Sequence, residues 1–278
     1  MMADVRPILQ VKDLYKHFGG LVAVDHVSLD IHPGEVVGLL GDNGAGKSTL
    51  IKMISGAYKP DSGQILLDGA AVSFATPLEA RRRGIETIYQ DLALCENLDA
   101  GANIFLGRER MRHQLGIFRV LYRSYMLRES RQVLDQLDIR IPELRNPIRL
   151  LSGGQRQAVS IARAVYWDAR LMIMDEPTAA LGVPEQLKVL ELIRTLRNRG
   201  VPVILISHNM QDVFAVADRV IVMRRGSKTG EVRISDTNEN EVVGLMVGVE
   251  YTQVIKQIHD APEEVHITTH DESETDII

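Results

Sequence analysis

The chain has 278 residues, of which 45% are apolar and 25% charged, a composition typical of a globular protein with a sizeable core. Its formal net charge of −5 at pH 7 argues against nucleic acid as the main partner, because phosphate backbones are bound by basic surfaces. Cys95 is the only cysteine, which excludes an internal disulfide and a cysteine-ligated metal cluster. No apolar run has the length of a signal peptide core or a membrane-spanning helix, so we expect any work at a membrane to require a partner.

The first part of the chain carries strand and turn signals. Apolar and polar residues alternate from 27 to 32, which is the period of a half-buried strand. The uninterrupted apolar run at 36–40 is typical of a buried parallel strand. A glycine-rich turn follows at 41–46, and we predict a helix at 47–55 behind it.

Helical spacing replaces the strand signals from about residue 92. We therefore predict a helical subdomain, at about residues 92–165, inserted into an α/β domain. The patterns on both sides of it predict strands at 65–69, 85–89, 171–174 and 203–206, helices at 77–83, 155–166 and 185–199, and a hairpin within 218–230.

Two charged segments stand outside this pattern. Residues 259–278 contain seven acidic residues and no Lys or Arg, and we expect this tail to be disordered because it has little to bury. A regulatory role for the tail is the alternative. We interpret Arg81, Arg82 and Arg83 as a solvated helix end and not as a nucleic-acid patch.

A phosphate-binding pattern occupies the turn between the second predicted strand and the helix that follows it. The pattern G-x-x-x-x-G-K-[ST] is formed by Gly41, Asp42, Asn43, Gly44, Ala45, Gly46, Lys47, Ser48 and Thr49. Glycines let several backbone N–H groups converge on a phosphate, and the helix adds its positive end. Lys47 would reach the β- and γ-phosphates of ATP, and the Ser48 hydroxyl would bind Mg²⁺. A glycine turn that only joins strand to helix is the alternative.

An acidic pair ends the predicted strand at 171–174. Asp175 and Glu176 follow its apolar residues directly, and the ends of parallel strands face the ligand crevice. We predict that Asp175 holds Mg²⁺ and that Glu176 acts as the general base toward an attacking water. A solvated acidic loop is the alternative for this pair taken alone.

A third motif lies between the phosphate loop and the acidic pair. Its residues are Leu151, Ser152, Gly153, Gly154 and Gln155. In this order, at the start of a helix and about twenty residues before an apolar-Asp-Glu strand, they resemble the signature of the nucleotide-binding subunits of ABC transporters. The resemblance covers about residues 8–248. It implies a P-loop NTPase of the ABC type, with an N-terminal antiparallel β subdomain and the inserted helical subdomain.

The resemblance extends to three further positions. Phe18 resembles the aromatic residue that stacks on adenine, Gln90 the glutamine that contacts Mg²⁺ and the attacking water, and His208 the histidine that contacts the γ-phosphate. The alternatives are a core aromatic for Phe18, a surface residue for Gln90 and a polar strand end for His208.

In the family that this chain resembles, two subunits enclose two ATP molecules head to tail. The resemblance implies that residues 151–155 of one copy complete the site built on Lys47 of a second copy. The chain departs from the family at Gly182, where an aspartate normally follows Ala-Leu. Gly182 has no carboxylate for a contact across the dimer, which leaves communication between the two sites in question.

Three segments resemble the carbohydrate-uptake branch of bacterial importers, at residues 90–98, 103–109 and 241–248. The resemblance is to single-cassette subunits linked to fructose or related monosaccharides. It implies a membrane permease, an extracytoplasmic sugar-binding protein, and a peripheral position on the cytoplasmic face of the cell membrane. Residues 118–125 could hold a helix of the permease, with ordinary core packing as the alternative.

Two other functions remain as alternatives. An ABC-type ATPase that works on DNA or ribosomes would need a long coiled coil, or two cassettes with basic linkers, and neither is in the sequence. A regulatory subunit with low turnover has Gly182 as its only support.

Overall fold

The computed structural model describes residues 6–114, 118–179 and 181–248. The tail at residues 249–278, whose acidic part from 259 onward is expected to be disordered, lies outside the described residues. The strands are β1 (Leu9–Phe18), β2 (Leu21–Ile31), β3 (Val36–Leu40), β4 (Ser62–Leu67), β5 (Ala70–Val72), β6 (Ile85–Ile88), β7 (Met111–Gln114), β8 (Phe118–Leu121), β9 (Leu171–Asp175), β10 (Val203–Ile206), β11 (Arg219–Arg224) and β12 (Ser227–Arg233). The α-helices are α1 (Lys47–Ile54), α2 (Pro77–Arg82), α3 (Ala100–Ile104), α4 (Arg123–Gln136), α5 (Gly153–Tyr166), α6 (Val183–Asn198), α7 (Met210–Val216) and α8 (Glu239–Val247).

Two large sheets confirm the predicted α/β class. A six-stranded sheet has the order β12-β11-β3-β10-β9-β6, and its pairs are parallel except for the antiparallel edge strand β12. A four-stranded antiparallel sheet, β2-β1-β4-β5, forms the predicted N-terminal β subdomain. The ends of the predicted helices differ from the observed ones by at most two residues, since helix ends depend on capping more than on apolar spacing.

The six-stranded sheet separates two hydrophobic cores. In β9, Met172 and Met174 point into the core shared with α5 and α6, whereas Leu171 and Ile173 point into the core shared with α1 and the antiparallel sheet. Successive strand residues face opposite sides, so a strand that is buried on both sides reads as a continuous apolar run. This burial explains why β3, β9 and β10 were recognisable in the sequence.

The inserted segment contains α3, α4 and α5, as the helical spacing predicts. It also contains a two-stranded antiparallel hairpin, β7-β8, which the sequence analysis did not predict. Each strand has four residues, too few for an alternating pattern to be distinguished from a loop. The segment at 118–125, for which permease docking was considered, forms β8 and the start of α4, where Arg119, Leu121 and Arg123 are exposed.

An aromatic cluster joins the end of α3 to the end of α5 within the inserted segment. Phe105 is fully buried, and its ring centroid lies 4.6 Å from that of Tyr166 and 5.7 Å from that of Trp167. The Trp167 Nε1–H donates to the Ile104 carbonyl at 2.9 Å. The cluster therefore fixes the end of α3 against the end of α5. None of the helices in the described ranges has the length and apolarity needed to cross a bilayer.

We predict that Phe105→Ala lowers the free energy of unfolding by about 3–5 kcal/mol, because the change leaves a cavity in a fully packed cluster. Phe18→Ala is the matched control, since Phe18 is 44% exposed and its loss should change stability by about 1 kcal/mol or less. Urea unfolding without nucleotide measures both. Equal losses in the two variants would contradict the assigned role of the cluster.

Candidate nucleotide-binding site

Four neighbouring parallel strands end at the same edge of the large sheet. The pairing aligns Ile206 of β10 with Leu39 of β3 and with Asp175 of β9, and Ile88 of β6 with Met174 of β9. The loops beyond these strands carry the phosphate loop, the acidic pair, His208 and Gln90. The fold thus brings together four predicted groups that are far apart in the sequence, at the edge where α/β sheets bind ligands.

The phosphate loop is shaped by two glycines with positive φ. Gly41 has φ 145°, and a Cβ there would lie 2.2 Å from the Met223 carbonyl oxygen. Gly46 has φ 100°, and a Cβ there would lie 2.4 Å from the Ala23 oxygen. Only glycine can occupy these positions without moving the neighbouring backbone. The loop is also held from outside, because the Gly226 N–H donates to the Ala45 oxygen at 3.0 Å.

Lys47 lies at the first position of α1, with only 7% of its surface exposed. Its ammonium donates to the carbonyl oxygens of Gly41 at 2.5 Å and Asp42 at 3.0 Å. Burial lowers the pKa of Lys47, and the carboxylates of Glu176, Asp175 and Asp42 counteract this effect. The structure therefore places the predicted phosphate-binding cation inside the curl of the loop, facing the acidic pair.

The remaining loop positions differ in exposure. Ala45 is buried and Thr49 half-buried. The exposed positions, from which a bound phosphate could be reached, are Asp42, Asn43, Gly44 and Ser48. Ser48 is thus on the open side of the loop, where its hydroxyl can bind a metal ion that also contacts the phosphates.

Asp175 ends β9 half-buried, and burial raises the pKa of its carboxyl group against the opposing effects of Lys47 and His208. Burial also raises the pKa of Glu176, with a further rise from Asp175, while the backbone N–H and ring of His208 act in the opposite direction. The Glu176 Oε1 lies 3.3 Å from His208 Nε2, but this buried oxygen has no hydrogen-bond partner among the described residues. Such a carboxylate can still accept a proton or a hydrogen bond from a small polar molecule.

The backbone of Glu176 is strained. Its φ is 52°, in the left-handed region that non-glycine residues seldom adopt. Its N–H donates to the Ile206 oxygen at 2.9 Å, which holds this conformation at the strand end. Strain of this kind costs about 1–3 kcal/mol and is concentrated at functional sites.

The sequence analysis missed a buried polar contact behind the acidic pair. The Thr178 hydroxyl donates to Asp212 Oδ2 at 2.6 Å, and both residues are less than 10% exposed. The bond joins the loop after Glu176 to α7, which follows His208. An aspartate in an amphipathic helix gives no sequence signal that its partner lies on another loop.

Gln90 and Phe18 both lie on the surface, each near the end of a strand. Gln90 is exposed, two residues beyond β6. Phe18 is 44% exposed at the end of β1, and its ring meets Tyr58 edge-on at 5.3 Å. Phe18 therefore is not a core aromatic, which was the alternative considered for it.

The signature residues form the start of α5. Ser152 caps the helix, its Oγ accepting from the Gln155 N–H at 3.3 Å while Gln155 Oε1 accepts from the Ser152 N–H at 2.9 Å. Leu151 is buried just before the cap. In the described part of the chain, no hydrogen bond or ion pair joins these residues to the phosphate loop, so the structure places the signature apart from the other groups.

The two signature glycines instead contact the segment that follows the acidic pair. A Cβ on Gly153 would lie 2.7 Å from Leu181 Cδ2, and one on Gly154 would lie 2.8 Å from Glu185 Cγ. Gly182, the position of the departure noted in the sequence, precedes α6 as its N-cap without a side-chain hydrogen bond.

We predict that Glu176→Gln stabilises the nucleotide-free protein in EDTA, and that the gain grows with pH. The folded-state pKa of Glu176 is raised above its ordinary value of 4.5, so the folded state binds the proton more tightly than the unfolded state. The wild-type free energy of unfolding therefore falls as pH rises from about 4.5 through the raised pKa. Glutamine removes this loss, so the free energies of unfolding of the two proteins should become similar at acidic pH.

Urea titrations at several pH values measure this difference. Glu191→Gln is the control, because that carboxylate is 69% exposed on α6. The assigned burial of Glu176 would be contradicted if the free energy of unfolding of Glu176→Gln exceeded that of the wild type by an amount that stays constant or shrinks as pH rises.

Comparison with known proteins agrees with this geometry. The family model "ABC transporter" matches residues 24–179. The chain is 50% identical to the xylose/arabinose import ATP-binding protein XylG of Sulfolobus acidocaldarius, over 86% of this chain and 93% of that protein. It is 46% identical to the fructose import ATP-binding protein FrcA of Rhizobium meliloti, over 87% and 94%.

Two further matches concern chain length and fold. The chain is 43% identical to the ribose import ATP-binding protein RbsA 1 of Rubrobacter xylanophilus, but spans only 51% of that protein. An ATP-binding cassette of an ABC transporter, solved in its ADP conformation, superposes with a TM-score of 0.73 at 24% identity, covering 90% of this chain and 98% of that one. The chain therefore belongs to the ABC transporter family, as one of its ATP-hydrolysing, ATP-binding subunits.

Proposed function

We propose that this chain hydrolyses MgATP, as one half of a head-to-tail dimer, to power the uptake of a monosaccharide through a membrane permease. The observation that carries the proposal is the placement of Lys47, Asp175, Glu176 and His208 at the ends of adjacent parallel strands. The cassette is assigned to residues 8–248 and the acidic tail to 249–278.

The phosphate loop supplies the binding half of this mechanism. The backbone of residues 41–49 and the start of α1 would surround the triphosphate, with Lys47 leaving the loop carbonyls to bind the β- and γ-phosphate oxygens. Phe18 would stack on the adenine at the other end of the nucleotide. The exposure of Phe18 and its rigid contact with Tyr58 support this role.

The donors near the acidic pair fit Mg²⁺. A hydroxyl from Ser48, a carboxylate from Asp175 and an amide oxygen from Gln90 are all oxygen ligands, which Mg²⁺ prefers alongside phosphate oxygens and water. The described ranges contain no cluster of three or more His, Cys, Asp or Glu side chains suited to a metal ion, so phosphate oxygens must supply part of the ligand set. When bound, the ion neutralises charge on the phosphates.

Glu176 supplies the proton acceptor for hydrolysis. Its raised pKa makes it a better base than an ordinary carboxylate, and its Oε1 has no competing hydrogen bond among the described residues. As the water oxygen attacks the γ-phosphorus, its proton passes to Glu176 and ADP departs with the electrons of the broken P–O bond. His208, 3.3 Å from that carboxylate, is placed to donate to the γ-phosphate.

The start of α5 would complete the site of a second copy. The capping bonds between Ser152 and Gln155 hold this end in a helical shape, and a helix N-terminus favours an anionic partner. In the proposed dimer, residues 151–155 face the γ-phosphate bound by Lys47 of the other subunit. ATP would hold the dimer closed, and hydrolysis would release it.

The sugar assignment comes from the relatives. Two of them share almost their full length with this chain and are named for import of xylose/arabinose and of fructose. Their names share the monosaccharide class, and within it we propose fructose as the first candidate. The proposal includes a membrane permease, an extracytoplasmic sugar-binding protein and a peripheral position on the cytoplasmic face of the cell membrane.

Gly182 favours a second candidate, a regulatory subunit that binds ATP but turns it over slowly. The position has no carboxylate to contact a second copy. The hydrolysis assay below separates the two candidates, because a regulatory subunit would show equally low rates for the wild type and for a variant without the general base.

We predict that Glu176→Gln lowers the rate of phosphate release from MgATP by about 100-fold or more, because it removes the general base. ATP binding should persist, since the phosphate loop is unchanged. Glu191→Gln, on an exposed part of α6, should keep the wild-type rate. Wild-type and Glu176→Gln rates that are both at background would favour the regulatory candidate.

We also predict that the same variant forms an ATP-dependent dimer, seen by light scattering after size-exclusion chromatography. Ser152→Glu in the Glu176→Gln background should abolish that dimer, because it places a negative charge against the partner's γ-phosphate. A dimer that forms equally well with and without ATP would overturn the proposed arrangement.

The sugar is tested in membrane vesicles that contain the permease and its sugar-binding protein. We expect ATP-driven accumulation of labelled fructose with the wild type and none with Glu176→Gln. Ribose, xylose and arabinose are assayed in parallel. Transport of one of these sugars without fructose would keep the transport function and correct the substrate.

A further inference from the structure

An arginine-lined pocket lies at the edge of the large sheet opposite the edge that carries the phosphate loop. The pocket has a volume of about 460 Å³. It lies at the beginning of β6 and β9, about one strand length, or roughly 15 Å, from the ends that carry Gln90 and Asp175. Its lining includes Trp167, one carboxylate, Asp168, and five arginines, Arg81, Arg82, Arg83, Arg108 and Arg170.

Only two of these arginines have a carboxylate partner in the described part of the chain. Arg81 Nε donates to Glu86 at 3.0 Å, and Arg170 makes a two-pronged contact with Asp68 at 2.7 and 2.8 Å. The described ion pairs include none for Arg82, Arg83 or Arg108. Against five arginines stand three carboxylates, Glu86, Asp68 and the lining residue Asp168, so the pocket keeps a net positive charge.

Two contacts hold Trp167 in place in the pocket lining. The Arg108 guanidinium lies 4.7 Å from the centre of the Trp167 ring, and the Trp167 indole is anchored by its bond to the Ile104 carbonyl. Burial lowers the pKa of Arg108 and the like charges of Arg81 and Arg82 lower it further, while the Glu86 carboxylate acts in the opposite direction. A pre-formed, positively charged and partly desolvated pocket of this kind suits carboxylate groups, which arginine binds through two parallel hydrogen bonds.

The chain itself contains a complementary segment. Residues 259–278 carry seven carboxylates and no Lys or Arg. The described chain ends at Gly248, which lies against the Arg224 guanidinium at the end of β11. From there, four strand spacings and one strand length separate it from the pocket, which corresponds to about 25 Å. The chain must pass over the surface and not through the sheet, so its path is longer than this straight line. Residues 249–270 can span roughly 70 Å when extended, so the acidic residues from Asp271 onward can reach the pocket.

We propose that the acidic segment at residues 259–278 binds in this arginine-lined pocket of the same chain. The inference goes beyond the proposed function and does not depend on it. A segment that is too polar to form its own core can still bind through charge. Tethering gives it a millimolar effective concentration, so a dissociation constant on the order of 100 µM for the free segment would keep the pocket largely occupied.

Trp167 provides a direct reporter, because it is the only tryptophan in the chain. The test uses the full chain with a neutralised tail, in which the acidic residues become Asn or Gln at Asp260, Glu263, Glu264, Asp271, Glu272, Glu274 and Asp276. A synthetic peptide of residues 259–278 is titrated into this protein without nucleotide. We expect a saturable change in Trp167 fluorescence that weakens as salt rises. The wild type should need about tenfold more peptide, because its own tail competes.

Arg82→Gln with Arg83→Gln, in the neutralised-tail chain, should weaken peptide binding by about fivefold or more, through loss of two exposed charge pairs. Both side chains are exposed, so the substitutions should leave the fold intact. Arg140→Gln with Arg145→Gln is the control with the same charge change at exposed positions outside the pocket, and it should bind the peptide normally.

Three results would overturn the proposal. The first is no saturable fluorescence change, and the second is equal peptide affinity for the wild type and the neutralised-tail chain. The third is displacement of the peptide by free glutamate at the same carboxylate concentration, which would show a general anion site and not a site for the tail. None of these readouts involves ATP or a permease, so failure here is distinguishable from failure of the proposed function.

Discussion

The register of the parallel strands is the constraint on which the rest of the site depends. Leu39, Ile206 and Asp175 lie in one row across β3, β10 and β9, and each strand turns into a loop just beyond that row. A slip of one residue would turn every side chain of a strand to the opposite face of the sheet. The side chains packed in one core would then enter the other. Hydrophobic burial on both sides of the sheet therefore fixes where the polar loops meet, although none of the buried residues takes part in the chemistry.

Burial also sets the electrostatics at that edge. The same desolvation lowers the pKa of Lys47 and raises the pKa values of Asp175 and Glu176. Attraction between Lys47 and the two carboxylates opposes these shifts, whereas repulsion from Asp175 adds to the rise at Glu176. The strained backbone of Glu176 adds a cost of its own. A site that places charges and strain where folding disfavours them must draw its stability from elsewhere, and the two cores on either side of the sheet provide it.

The sequence was most informative for elements whose pattern lies within one continuous segment. The apolar runs predicted β3, β9 and β10, and residues 36–54 contain a strand, the phosphate loop and its helix in one stretch. Contacts between distant segments gave no such signal. The bond between Thr178 and Asp212 spans 34 positions, and the hairpin β7-β8 has strands too short for a visible period. Arg81, Arg82 and Arg83 do end α2, and Arg82 and Arg83 are exposed as predicted. The pocket that they line gave no sequence signal, because its other wall, at Arg108 and Trp167, comes from later in the chain.

The segment between Glu176 and Glu185 follows the acidic pair directly and packs against the start of α5. Thr178 is anchored to α7, and Leu181 and Glu185 lie against Gly153 and Gly154. A side chain at either glycine would push this segment away, so the close packing depends on both. In the proposed dimer, the same α5 end serves the ATP of the other subunit. A displacement of Glu176 during hydrolysis in one site would then reach the second site through these contacts, by packing alone. Such a route needs no carboxylate at Gly182.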